Sequence, residues 1–85
     1  MLSDLNNWEL IEGGKVIKKV LVLKDFKEAL RFVNRVGELA EDQDHHPDIK
    51  LFDYKKVEIS LTTHSAGGLT NKDVALAKEI DKLSV

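Results

Sequence analysis

Apolar and polar side chains alternate along "KVEISLTTH", residues 56 to 64, with Val57, Ile59 and Leu61 on one side and Glu58, Ser60, Thr62 and His64 on the other. A period of two is the mark of a strand with one buried face. "KVIKKVLVLK", residues 15 to 24, is rich in branched residues and reads as a second strand, with Ile17, Lys19, Leu21 and Leu23 on one face. "WELIE", residues 8 to 12, alternates in the same way, and the glycines at 13 and 14 join it to the next strand as a hairpin. "DIKLFD", residues 48 to 53, predicts a further short strand, followed by a turn at "YKK".

Between the hairpins the period changes to 3.6. Phe26, Ala29, Leu30, Val33, Val36 and Ala40 form one stripe, widened by Phe32 and Leu39, and predict a helix over about 26 to 42. Asp25 and Glu28 make a D-x-x-E start signal. Pro47 requires the helix to end before it, because proline disfavours helical geometry in the residue it follows. A second helix opens at Thr70 and Asp73 and turns Val74, Ala77, Ile80 and Leu83 inward, with Leu76 alongside. Residues 1 to 7 hold at most a helical turn carrying Leu2 and Leu5. This order predicts an α+β fold: a four-stranded antiparallel sheet, ββαββα, with helices on one face and a short or absent N-terminal helix.

Composition narrows the class. Eighty-five residues suit one domain, residues 1 to 85, with a thin core. A formal net charge of −2 and the absence of a basic block argue against a nucleic-acid partner. The chain has no cysteine, so disulfides and thiolate metal sites are excluded. No apolar run approaches the length of a membrane span, and the N-terminus lacks the pattern of a signal peptide, so a cytoplasmic location is expected. A thin core and a bare sheet edge point to a homodimer or homotetramer, joined through strand edges or the long helix.

The candidate chemistry lies in "EDQDHHPD", residues 41 to 48. His45 and His46 follow the long helix, and Pro47 pins the second ring's backbone toward an extended form. Acidic residues upstream and the negative end of the helix favour a ring that carries a proton to give. His64 falls at the end of the last strand and Asp73 in the first turn of the last helix, positions where function concentrates on a rigid scaffold. Each has a simpler role open to it. A histidine at a helix C-terminus can cap the last carbonyls, Asp73 can serve only as a helix cap, and His64 and Glu41 can be solvated. Zinc is disfavoured because adjacent histidines seldom aim both rings at one ion and no i,i+4 histidine pair exists. Ser60 and Ser65 lack a nucleophile elbow.

Glu41, His45, His46, Pro47, Tyr54, His64 and Asp73, with "THSAGGLTNKD" and the "KDFKEALRFVNRV" helix, give a sequence that resembles the pterin-4a-carbinolamine dehydratases over nearly the whole chain. The resemblance implies loss of water from a 4a-hydroxytetrahydropterin to give the quinonoid dihydropterin, without a cofactor or metal. It implies His45 and His64 as acid-base residues, with His46 holding the pterin and Asp73 orienting a histidine or touching substrate. Glu41, Pro47 and Thr63 stand on the substrate side, Glu41 also supporting the His45 ring. The chain departs from the family pattern at Ile49, where tryptophan is frequent, and in a segment from Pro47 to Tyr54 that is one residue longer. Against the family pattern, the N-terminal helix is expected to be short or absent. Some members of the family also stabilise a dimeric transcription factor, so an interaction module is the competing reading.

Overall fold

A computed structural model describes residues 7–83 of the chain. In order it contains β1 (Glu9–Ile11), β2 (Val16–Val22), α1 (Phe26–Gln43), β3 (Asp48–Phe52), β4 (Lys56–Leu61) and α2 (Asn71–Asp81), with short 3-10 turns at Glu12–Gly14 and His64–Ala66. The expected N-terminal turn carrying Leu2 and Leu5 lies outside the described residues.

Each hairpin forms where turn chemistry permits it. Gly13 and Gly14 take φ of 68° and 87°, the left-handed region that glycine enters without steric cost, and β1 folds back on β2. β3 and β4 pair around the turn at Asp53 and Tyr54. The two hairpins join through β2 and β4, so the sheet order is β1-β2-β4-β3 and every pair is antiparallel. Cross-strand partners share a face. Ile17 with Leu61, Leu21 with Val57 and Ile49 with Ile59 therefore turn their side chains to the helices. Val57, Ile59 and Leu61 are wholly buried, as the alternation requires, and each contributes about 2 kcal/mol of burial.

Both helices have sequence-encoded starts. Asp25 accepts a hydrogen bond from the Glu28 N–H at 2.9 Å, but only half of the expected box forms, because the Glu28 carboxylate pairs with Arg31. Thr70 and Asp73 form the full box at α2. The buried face of α1 differs from the expected stripe. Ala29, Phe32, Val36 and Ala40 reach the core, whereas Phe26 and Leu30 remain 49% and 44% exposed. At about 100° per residue the apolar arc is wider than one helix-to-sheet contact covers, and Phe26, Leu30 and Val33 lie on its flank. In α2, Val74, Leu76, Ala77 and Ile80 are buried, and Leu83 packs at the edge of the core.

One polar staple crosses this core. The Trp8 indole N–H donates to Asp81 Oδ1 at 2.9 Å, and Lys19 Nζ donates to the same oxygen at 2.7 Å. The ammonium also sits 5.8 Å from the centre of the Trp8 ring. Lys19 is the one lysine on the inward face of β2, and the staple supplies its counter-charge while tying α2 to the sheet. Among the described residues no helix is long and apolar enough to cross a membrane.

Candidate active site

The end of α1 sets the first part of the site. Asp44 takes the left-handed conformation (φ 50°), and its N–H donates to the carbonyls of Ala40 and Glu41. The His45 N–H then reaches back to the Ala40 carbonyl at 3.0 Å. These bonds are a Schellman closure in which an aspartate stands where glycine is usual. The helix is therefore stopped at Asp44, three residues ahead of Pro47, and His45 leaves it in a fixed direction.

That direction leads to α2. His45 Nε2 lies 2.5 Å from Asp73 Oδ1. Asp73 is fully buried, and the His45 side chain is 11% exposed. The second carboxylate oxygen, Oδ2, accepts from the Thr63 hydroxyl at 2.8 Å and from the Thr70 backbone N–H at 2.9 Å. Asp73 is thus a helix cap and a histidine partner at once. The cap alone would need only the bond from Thr70. Burying a carboxylate is costly unless its oxygens have hydrogen-bond partners, and here Oδ2 has two donors while Oδ1 faces the His45 ring.

His46 points elsewhere. Its Nε2 lies 2.5 Å from Glu41 Oε2, on a surface where both side chains are more than half exposed. Glu41 therefore supports the His46 ring, not the His45 ring that the resemblance assigned to it. The reason is the left-handed residue at 44, which breaks the i,i+4 relation that a continuing helix would give Glu41 and His45. Beside this pair is a cavity of about 850 Å³, lined among others by His46, Pro47, Ile49, Glu41 and Glu38. His46 is in its lining, whereas His45, His64 and Asp73 are not.

His64 opens the 3-10 turn instead of closing β4, because Thr62 is drawn to the Lys15 carbonyl at 2.7 Å and Thr63 to Asp73. Its ring is exposed and has no hydrogen-bond partner among the described residues. It follows directly on Thr63, one residue from the His45–Asp73 pair. Thr63, expected on the substrate side, is buried with its hydroxyl committed to Asp73 and Thr70. Tyr54 sits at the far end of the β3–β4 hairpin, roughly 13 Å along the strand from the histidine end.

The sequence names Thr63 but not its partner, and it does not single out Asn34. Thr63 has the same parity as Val57, Ile59 and Leu61, and a polar residue on the apolar face of a strand signals a buried partner. Asn34, which lines the cavity, shares one helix face with Glu38 and Glu41 at i, i+4 and i+7, a polar run that periodicity alone assigns to solvent. Among the described residues no three His, Asp or Glu side chains are grouped so as to hold a metal ion.

Comparison with known proteins bears on this arrangement. The family model for pterin 4 alpha carbinolamine dehydratase matches residues 1–83. A protein of Sulfurisphaera tokodaii bearing the name "Putative pterin-4-alpha-carbinolamine dehydratase" is 48% identical over 82 residues, 96% of this chain and 85% of the relative. One of the same name from Thermomicrobium roseum is 45% identical over 84 residues, 99% of this chain and 87% of the relative. The crystal structure of a transcriptional coactivator/pterin dehydratase from Brucella melitensis superposes with a TM-score of 0.86 at 32% identity, over 94% of this chain and 84% of that one. A pterin dehydratase-like RuBisCO assembly factor of the alpha-carboxysome shares the fold, with a TM-score of 0.74 at 19% identity over 89% of this chain and 87% of that one. By sequence and by fold, the chain belongs to the pterin 4 alpha carbinolamine dehydratase family.

Proposed function

We propose that this protein removes water from a 4a-hydroxytetrahydropterin, giving the quinonoid dihydropterin, by histidine acid-base catalysis. The C4a–O bond breaks as a proton is delivered to the departing oxygen and another is withdrawn from a ring nitrogen. Histidine performs either transfer near neutral pH. The observation that carries this reading is the His45–Asp73 pair, a ring held at 2.5 Å by a fully buried carboxylate. His64, exposed and without a hydrogen-bond partner among the described residues, just beyond Thr63, supplies the second transfer. Glu38, Glu41 and His46 at the cavity offer acceptors to the N–H groups on the aminopyrimidinone edge of a pterin, with Pro47 and Ile49 against its apolar face. The scheme uses no metal and no cofactor.

Titration with an oxidised pterin analogue tests the site. Quenching of analogue fluorescence that saturates, and that weakens in His46→Ala, is expected. The absence of quenching or of any melting shift at saturating analogue contradicts a pterin site.

A second reading draws on Phe26 and Leu30, large apolar side chains left exposed on α1. The Brucella melitensis relative is described as both coactivator and dehydratase, and such a face suits a helix-to-helix partner. We propose that its first occupant is another copy of this chain, giving a homodimer or homotetramer. Light scattering at micromolar concentration is expected to return a multiple of the chain mass, and a monomer mass contradicts it.

A further inference from the structure

Thr63 lies 2.8 Å from Asp73 Oδ2 and 2.8 Å from Thr70 Oγ1. A threonine hydroxyl carries one proton, and a carboxylate oxygen only accepts. The Thr63 proton therefore goes to Asp73, and the Thr70 hydroxyl donates to Thr63. Thr70 Oγ1 in turn accepts from the Lys72 N–H at 3.2 Å. With the Thr70 N–H also on Oδ2, every proton on that side of the carboxylate is assigned. Oδ1 is left to face Nε2 of His45. As an acceptor it requires the proton on Nε2, which leaves the lone pair of the neutral ring on Nδ1. Among the described residues Nδ1 has no partner.

We propose that Thr63 is a positioning residue: its hydroxyl locks the Asp73 carboxylate against the start of α2 so that Oδ1 meets His45 Nε2, which fixes the ring's tautomer and reserves Nδ1 for proton exchange with substrate. The role in proton exchange rests on the dehydration reading; the tautomer does not. Valine at this position keeps the shape of threonine and removes the donor. Oδ2 then retains only the Thr70 N–H, the carboxylate can rotate about its Cβ–Cγ bond, and the restraint on His45 weakens. Serine keeps the donor.

Imidazole ¹⁵N NMR at neutral pH, with steady-state kinetics on a 4a-hydroxytetrahydropterin, separates the two parts. In the unsubstituted protein His45 is expected as the Nε2–H tautomer. Thr63→Val is expected to mix the tautomers and to lower kcat roughly tenfold with KM little changed. Thr63→Ser is expected to restore the tautomer and most of kcat. A folded Thr63→Val protein with the His45 tautomer of the unsubstituted protein overturns the proposal. Should Thr63→Val fail to fold, Thr63→Cys, similar in size and a weak donor, decides by the same signal: mixed tautomers support the proposal and an unchanged tautomer overturns it. If the unsubstituted protein turns over no 4a-hydroxypterin, the dehydration reading falls, while the NMR result still decides whether Thr63 sets the tautomer.

Discussion

His45→Ala lowers turnover of a 4a-hydroxytetrahydropterin by about 10²-fold or more, the scale on which a general acid-base residue acts. Two effects combine. The ring proposed to exchange the proton is lost, and Asp73, fully buried, loses the partner of its Oδ1 oxygen. An unsatisfied buried acceptor costs about 1–3 kcal/mol, so this variant is also less stable. His64→Ala provides the contrast. Its ring is exposed, so turnover falls on the same scale while stability stays within about 0.5 kcal/mol. From the sequence, the three histidines stand outside the apolar stripes and their removal is expected to change stability little. His46 and His64 are exposed, whereas the His45 side chain is 11% exposed and in contact with a buried carboxylate, which sets its variant apart. Kinetics on protein whose fold is checked by circular dichroism measure both effects. Full activity in folded His45→Ala contradicts the assignment.

Asp81→Ala destabilises the fold by about 3 kcal/mol, the cost of stranding a charge inside. Lys19 and Asp81 are both close to buried, and the same carboxylate oxygen holds the Trp8 indole. Removing it leaves an ammonium on the inward face of β2 and an indole N–H without that acceptor. For a domain of this size each kcal/mol moves the melting temperature by about 4–8 °C, so the midpoint falls by roughly 10 °C or more. Urea unfolding with an unchanged slope isolates the effect as a loss of stability. A loss below about 1 kcal/mol would mean that the staple acts as an exposed ion pair does.

Much of the fold is legible because burial imposes period. Val57, Ile59 and Leu61 show β4 directly, and the glycines at 13 and 14 show the first hairpin. The errors lie where a pattern offers more apolar surface than one contact uses, as with Phe26 and Leu30, or where a local conformation has no residue signature. Asp44 is the clearest such case. Nothing in an aspartate announces the left-handed turn that sends His45 toward Asp73 and His46 toward Glu41. The site was legible as a list of residue types and as a resemblance. Its pairing was not, because His45 and Asp73 lie 28 positions apart and meet only when α1 and α2 pack side by side. Thr63, named by the resemblance, is also marked by parity, as a buried polar residue in line with β4's apolar face just beyond the strand's end.

The most direct test of the central claim is to follow the decay of a 4a-hydroxytetrahydropterin by stopped-flow absorbance, with and without the protein. The account predicts that the quinonoid dihydropterin forms faster in proportion to protein concentration, and that His45→Ala returns the rate close to that of buffer. A rate in the presence of the unsubstituted protein equal to that of buffer alone contradicts it.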